Sequence, residues 1–341
     1  MPDSKKQNSK RTQIEEVGRI NLINELLSST GLPFSNCPSI DTEGDFHIFS
    51  SHRLLLEGID FNLVYNPLKH LGYKSVLSVL GPLAAKNCTP VNLSVNLGLS
   101  NRFCAEDAWE FWAGVSVALK EFGISFVSLD IQSSLTGMAI SLSSQGKQPK
   151  EIFVQTPQPV SGDLICISGN LGAAYMGLQL LERERALFEK GSGEQPRLKG
   201  YEYILKSYLA PELDLSFVKL FSGHQIFPSA GIFINDGLAA SVKRLCMETS
   251  LGANIYLEKV PVATETFAIA DEFNMEATTA VLNGGDDFRL MYTIPISKYE
   301  ILIKEIPGLE IIGHLTARDN GTWIITPDGS RIALKAQGWS E

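Results

Sequence analysis

Leu164-Ile165-Cys166-Ile167-Ser168-Gly169-Asn170-Leu171-Gly172 carries an apolar strand straight into a glycine turn, and a small-residue helix over 173–188 opens behind it. Such a turn can present backbone N–H groups and a helix N-terminus to an anion. It lacks the Gly-Lys-Ser/Thr of a Walker loop and the spacing of a dinucleotide GxGxxG fingerprint. The alternative is that Gly169, Gly172 and Gly177 simply let helix and strand pack closely. Strand followed directly by helix sets the reading of the fold, because the same alternation continues on both sides of it.

Upstream, Pro157, Pro159 and Gly162 cluster over 155–162 and mark a boundary. Before it, apolar spacing predicts a helix over 12–27 that ends at Ser28-Ser29-Thr30-Gly31, a strand at Phe46–Leu56 and a helix over 67–85. A strand over 91–97, an amphipathic helix over 105–122 and strands over 126–130 and 137–144 complete that half. Downstream come a polar loop over 189–196, helices over 201–209 and 235–250, strands over 253–257 and 290–294, a helix at Tyr299–Glu305 and short closing strands. There is no fixed-period repeat, heptad array or low-complexity tract. The expectation is two mixed units, 1–154 and 155–341.

The chain has 341 residues, 29 basic against 38 acidic, for a net charge of −9. That length suits two cored domains. Hydrophobic residues at 44% and charged residues at 20% describe a globular chain. The acidic balance, with no clustered basic face, argues against a nucleic-acid partner. Cysteines 37, 88, 104, 166 and 246 form no CxxC pair and read as buried free thiols of a reducing compartment. The polar first eleven residues are read as no secretory signal, and the apolar run 76–85, broken by Gly81 and Pro82, is about half a membrane span. A cytoplasmic protein without membrane contact is expected.

Acids and glycines recur where strands hand over to loops. Asn235-Asp236-Gly237-Leu238 precedes a helix, with Asp236 placed to cap it or to hold a cation. Gly284-Gly285-Asp286-Asp287-Phe288 precedes a strand and can hold Mg²⁺ or form an exposed turn. Asp130 follows the strand residues Phe126 to Leu129, where open α/β sheets place functional groups. The five histidines show no metal spacing, and no Gly-x-Ser-x-Gly elbow is present. His52-Arg53, just before Glu57-Gly58, is either an exposed basic pair or part of a site.

Read in order, these stretches resemble thiamine-monophosphate kinase, of the superfamily that also holds aminoimidazole ribonucleotide synthetase. Glu16-Val17-Gly18-Arg19-Ile20 looks like the family's ExGxI, and Leu56-Glu57-Gly58-Ile59-Asp60-Phe61 like its LEGVHF. Leu71-Gly72-Tyr73-Lys74 and Leu83-Ala84-Ala85 match the following helix. Leu97-Gly98-Leu99, the Gly169–Gly172 turn, Asn235 to Leu238, Gly284 to Phe288 and Lys335-Ala336-Gln337-Gly338-Trp339 complete the series. The resemblance implies a two-domain aminoimidazole ribonucleotide synthetase-like fold, α/β then α+β, whose N-terminal sheet pairs across a homodimer. It implies ATP and thiamine monophosphate, or a related phosphorylated ligand, as partners, Mg²⁺ held by aspartates, and phosphoryl transfer without a protein nucleophile.

Carried over residue by residue, Asp130 and Asp236 stand for the catalytic acids and, with Asp45, for the metal set. Arg53, Gly169, Asn170 and Gly172 fall on the nucleotide side, and Glu57, Asp60, Phe61, Asp287 and Trp339 on the substrate side. The departures fall on the acids. Arg53, Pro82 and Asn170 stand where the family has Asp, Asp60 replaces the His of LEGVHF, Arg289 replaces an acid, and Asp45 is a poor match for the early GDDAAV. A cation at Arg53 about 6 Å from a divalent metal would repel it by roughly 5 kcal/mol at an effective dielectric of ~20. Scaffold positions are kept while metal-holding ones are replaced, so the expectation is a kinase-like protein with reduced or lost catalysis. An inactive phosphate-ligand-binding homologue, with Arg53 in place of a metal charge, and a dimeric partner protein without a small ligand are the alternatives.

Overall fold

The computed structural model describes residues 12–190, 196–336, 338 and 339. Residues 191–195 of the expected polar loop, and Gln337 of the closing motif, lie outside the described residues.

The first half forms a five-stranded sheet. Its strands are β1 (Ser39–Asp41), β2 (Phe46–Leu56), β3 (Thr89–Leu99), β4 (Phe126–Ser133) and β5 (Met138–Pro149), in the order β1-β2-β5-β3-β4. Only the β3–β4 pair is parallel. β5 shows why one face is covered: Met138, Ile140, Leu142, Ser144, Gly146 and Gln148 are buried while their neighbours are not, a clean period of two. Helix Leu68–Ala85 packs on β2, β5 and β3 and crosses helix Ala105–Glu121. Glycine permits that crossing. A Cβ on Gly72 would sit 2.0 Å from the Phe111 carbonyl oxygen, and one on Gly114 would sit 1.8 Å from that of Lys69.

The second half forms a seven-stranded sheet from β6 (Leu164–Ser168), β7 (Ala230–Ile234), β8 (Gly252–Tyr256), β9 (Arg289–Ile294), β10 (Leu309–Thr316), β11 (Thr322–Ile325) and β12 (Arg331–Ala333). The order is β12-β11-β8-β10-β6-β9-β7, antiparallel except for β8–β11. β6 is central and buried along its whole length, which is why its sequence reads as an apolar run instead of an alternation. Helix Leu68–Ala85 also touches β7 and β9, so it lies between the two sheets and is buried almost all round from Leu71 to Ala85. One hydrophobic cluster therefore runs from Phe49 and Leu142 through Leu77 and Leu80 to Phe233 and Tyr292.

Several expectations shift. The helix over 12–27 is two pieces, Ile14–Val17 and Arg19–Ser29, split at the buried Gly18 with φ of 85°, and Ile20 is the one buried residue of the two helical pieces. The strand over 137–144 runs on to Pro149, because β2 opposite it is equally long. Cys104 is exposed rather than buried, since it precedes helix Ala105–Glu121 and faces Asp107. β7 and the helices Ser216–Gly223, Thr264–Glu272 and Ala277–Asn283 go unread in the sequence. Among the described residues, no helix is long and apolar enough to cross a membrane.

Candidate functional site

Along β2, alternation sends His52 and Leu54 to the open face of the sheet and Arg53 inward, toward the second half of the chain. There it meets Asp236, 183 residues away, with Nη2 donating to Oδ1 at 2.9 Å. Asp236 sits two residues past β7, before helix Leu238–Thr249, and the intervening Gly237 has φ of 89°. Two turns into that helix, Arg244 reaches back and its Nη2 lies 2.5 Å from Asp236 Oδ2. One carboxylate thus holds a guanidinium on each oxygen. Burial pushes the Asp236 carboxyl up, but Arg53 and Arg244 outweigh it and hold the group well below the usual carboxylate range. It stays ionised throughout the physiological range and is no proton acceptor.

Asp236 and Arg53 line a cleft of about 410 Å³ between the two halves, at the concave seam where ligand sites commonly form. Helix Leu68–Ala85 contributes Leu71, Lys74, Ser75 and Ser78. Lys74 is buried, with Nζ donating to Asp286 Oδ2 at 2.9 Å and to the Tyr208 carbonyl at 3.0 Å, and lies 4.0 Å over the Tyr208 ring. Asp286 belongs to a left-handed loop in which Gly285, Asp286 and Phe288 have φ of 79°, 60° and 53°. Such backbone persists when tertiary contacts enforce it, and here the Asp286 N–H donates to the Asn235 carbonyl at 2.6 Å. At the other end of the cleft the Tyr65 hydroxyl donates to Glu182, which also pairs with Arg185 at 2.9 Å. Asp60 accepts the Leu56 N–H at 2.8 Å, and Phe61 completes the wall.

The remaining expected residues lie elsewhere. Asp287 is fully buried behind the cleft and accepts the Gly172 N–H at 2.9 Å, so this chain's own carboxylate sits at the turn that opens helix Ala173–Glu189. Burial pushes its carboxyl up to about 7, against the pull of the Gly172 N–H and Arg289. Arg289 packs on Gly169 and donates from Nε to the Asn170 carbonyl at 3.3 Å. Glu57 pairs with Arg102 and accepts the Met138 N–H, outside the cleft lining. The Trp339 ring lies 5.4 Å from Lys243 Nζ, near the N-terminal helix, where the Gly338 carbonyl accepts the Ile20 N–H at 2.7 Å. Asp130 is on exposed β4 and Asp45 in the exposed turn before β2. Within one chain, then, the expected metal set of Asp130, Asp236 and Asp45 is not brought together, because only Asp236 follows a strand that ends at the seam. Pro82 lies a turn beyond Ser78, outside the lining.

These donors do not fit Mg²⁺. A divalent cation needs free carboxylate oxygens in octahedral array, yet both Asp236 oxygens face guanidiniums and Asp286 faces Lys74. Among the described residues no group of three or more His, Cys, Asp or Glu could hold a metal ion. Sequence reading quoted Arg19 and Lys74 inside motifs without giving them a site role, read Asp286 as half of an acid pair that can hold Mg²⁺ or form an exposed turn, and missed Arg244. A lysine inside the apolar 67–85 helix was the one available signal.

No protein-family model matches the chain. Among curated proteins, it is 26% identical over 338 residues to the thiamine-monophosphate kinase of Buchnera aphidicola subsp. Acyrthosiphon pisum, covering 97% of this chain and 95% of that one. It is 25% identical over 294 residues to that of Aquifex aeolicus, covering 84% and 88%. A putative hydrogenase expression/formation protein of Methanocaldococcus jannaschii is 25% identical over 291 residues, covering 81% and 79%. The solved structure of AaThiL complexed with AMPPCP and TMP superposes with a TM-score of 0.79 at 21% identity, over 97% of this chain and 99% of that one. The hydrogenase maturation protein HypE of E. coli gives 0.62 at 15% identity, over 84% and 85%. The chain is a homologue of the thiamine-monophosphate kinases and has the aminoimidazole ribonucleotide synthetase-like fold.

Proposed function

We propose that this chain is a thiamine-monophosphate kinase-like protein that retains a cleft for a phosphorylated ligand of the ATP or thiamine monophosphate kind and has lost efficient phosphoryl transfer. The observation that carries the reading is the Arg53–Asp236–Arg244 arrangement. Phosphoryl transfer in this kind of enzyme depends on metal ions that neutralise the moving phosphoryl group. Here the central acid is already neutralised from within the chain, twice over. Similarity along 97% of the chain favours the opposite reading, a working kinase, and an assay separates the two. Purified protein given ATP, thiamine monophosphate and millimolar Mg²⁺ is expected to form no thiamine diphosphate beyond that formed by Asp236→Asn.

The same reading treats 1–154 and 155–341 as the two structural units and β4 as the seam of a homodimer. β4 is an edge strand with Phe126 70% exposed, Leu129 46% and Ile131 49%. An unpaired apolar edge of this kind is a template for a second chain. Sedimentation equilibrium is expected to give twice the 37.3 kDa chain mass. Leu129→Lys should shift it toward the monomer, and a monomeric parent protein would refute the pairing.

A further inference from the structure

A second cavity, of about 430 Å³, lies at the far end of helix Leu68–Ala85 and shares no lining residue with the cleft. Both halves build it: Phe49 of β2 and Gln148 of β5 come from the first sheet, Ala230 of β7 and Glu248 of helix Leu238–Thr249 from the second half. Lys86 and Glu248 are the charged side chains in its described lining, and they close on each other, Nζ donating to Oε2 at 3.1 Å. The second Glu248 oxygen accepts the backbone and side-chain N–H groups of Asn36 at 2.9 and 3.1 Å. Other polar capacity is left over. Gln148 is 4% exposed, and its amide nitrogen donates to the Lys86 carbonyl at 2.7 Å. A carbonyl can only accept, so the amide oxygen is the free end. That oxygen has no partner among the described residues and is not an enclosed orphan, so it opens on the cavity that Gln148 lines. The Asn87 side chain in the same wall also lacks a partner among the described residues, and its Oδ1 is buried. Phe153 offers a platform: His47 stacks on its ring at 3.8 Å and 25°, yet Phe153 remains 40% exposed and lines the cavity.

We propose that this cavity binds an uncharged, planar heteroaromatic molecule carrying a ring or amide N–H, the chemical class of a free nucleobase or a nicotinamide. Its ring stacks on Phe153, as offset aromatic pairs do, and its N–H donates to the Gln148 amide oxygen. The Asn87 carboxamide supplies a second polar contact. An ion is disfavoured, because the Lys86–Glu248 pair is already matched and leaves no charge to offset an ion's desolvation. A cavity of this size with apolar walls and a few polar groups is the ordinary form of a small-molecule site. The proposal concerns a different place from the cleft and does not depend on whether phosphoryl transfer is lost.

The test is ligand-observed NMR titration of the full chain with adenine, cytosine and nicotinamide, beside toluene as a flat ring without an N–H. At least one of the three is expected to bind fivefold or more tightly than toluene. Its affinity should fall at least fivefold in Gln148→Met and at least threefold in Phe153→Leu, and stay unchanged in saturating ATP and thiamine monophosphate. Asn87→Gly is expected to weaken binding as well, and glycine accepts the φ of 53° at that position without strain. Phe153 is partly exposed, so Phe153→Leu keeps the test valid even where Gln148→Met disturbs folding. No probe exceeding toluene, unchanged affinity in Phe153→Leu or in a folded Gln148→Met, or displacement by ATP and thiamine monophosphate would each overturn the proposal. Turnover in the kinase assay would refute the lost-transfer reading and leave this one standing.

Discussion

Asp236→Ala is expected to destabilise the protein by about 3–5 kcal/mol, the cost of leaving buried charges without their counter-ion. For a chain of this size that is a fall in Tm on the order of 5–10 °C. The cause is specific: the substitution leaves Arg53 and Arg244 facing each other across a buried gap with nothing between them. Arg244→Met is expected to cost less, because Asp236 keeps Arg53 as a partner. Thermal unfolding of the two variants beside the parent protein checks both statements. An Asp236→Ala protein as stable as the parent would mean that the guanidiniums are solvated and that the triad is not the internal clamp described here.

Asp287→Asn is expected to act in the opposite direction, and only at higher pH. Burial raises the Asp287 carboxyl to about 7 in the fold, while an unfolded chain returns it to about 4. A carboxyl raised by folding favours the native state while it is protonated. Its contribution is therefore complete below about pH 4 and is lost as pH climbs toward and past 7. Three pH units of difference correspond to roughly 4 kcal/mol at full ionisation. Asn keeps an oxygen for the Gly172 N–H and carries no charge, so the variant should match the parent near pH 4 and exceed its Tm at pH 8. A parent protein whose Tm does not change between pH 5 and 8 relative to Asp287→Asn would show that the carboxylate finds compensation, with Arg289 the nearest candidate.

The fold was legible wherever a pattern is local. The run Leu164–Ser168 reads as a strand because burial on both faces removes any need for polar alternation, and the turn after it reads from its glycines. β2, helix Leu68–Ala85 and helix Ala105–Glu121 were visible for the same reason. β7 was missed because Ala230–Ile234 is short and starts with two small residues, although it carries Asp236 to the cleft. The expected single helix over 12–27 failed at Gly18, whose positive φ turns the chain and directs Arg19 into the seam.

The site was legible by half. Arg53 and Asp236 stood out by their places in motifs, yet nothing in the sequence pairs residues 183 positions apart. Arg244 looks like any surface arginine of an amphipathic helix until the fold turns it toward Asp236. Asp286 and Asp287 are neighbours with opposite fates: the left-handed φ at Asp286 turns it into the cleft, while Asp287 goes into the core to meet Gly172. Burial and charge pairing are tertiary properties, and the motif alone shows only two acids.

The central claim is that the acid at the heart of the cleft is neutralised by arginines and that metal-dependent transfer is thereby lost. It is tested most directly by a single-turnover assay with protein in excess over thiamine monophosphate, at millimolar ATP and Mg²⁺, read as thiamine diphosphate formed. The account predicts no product above the level of the Asp236→Asn variant purified in parallel. Stoichiometric product from the parent protein, abolished in that variant, would contradict it.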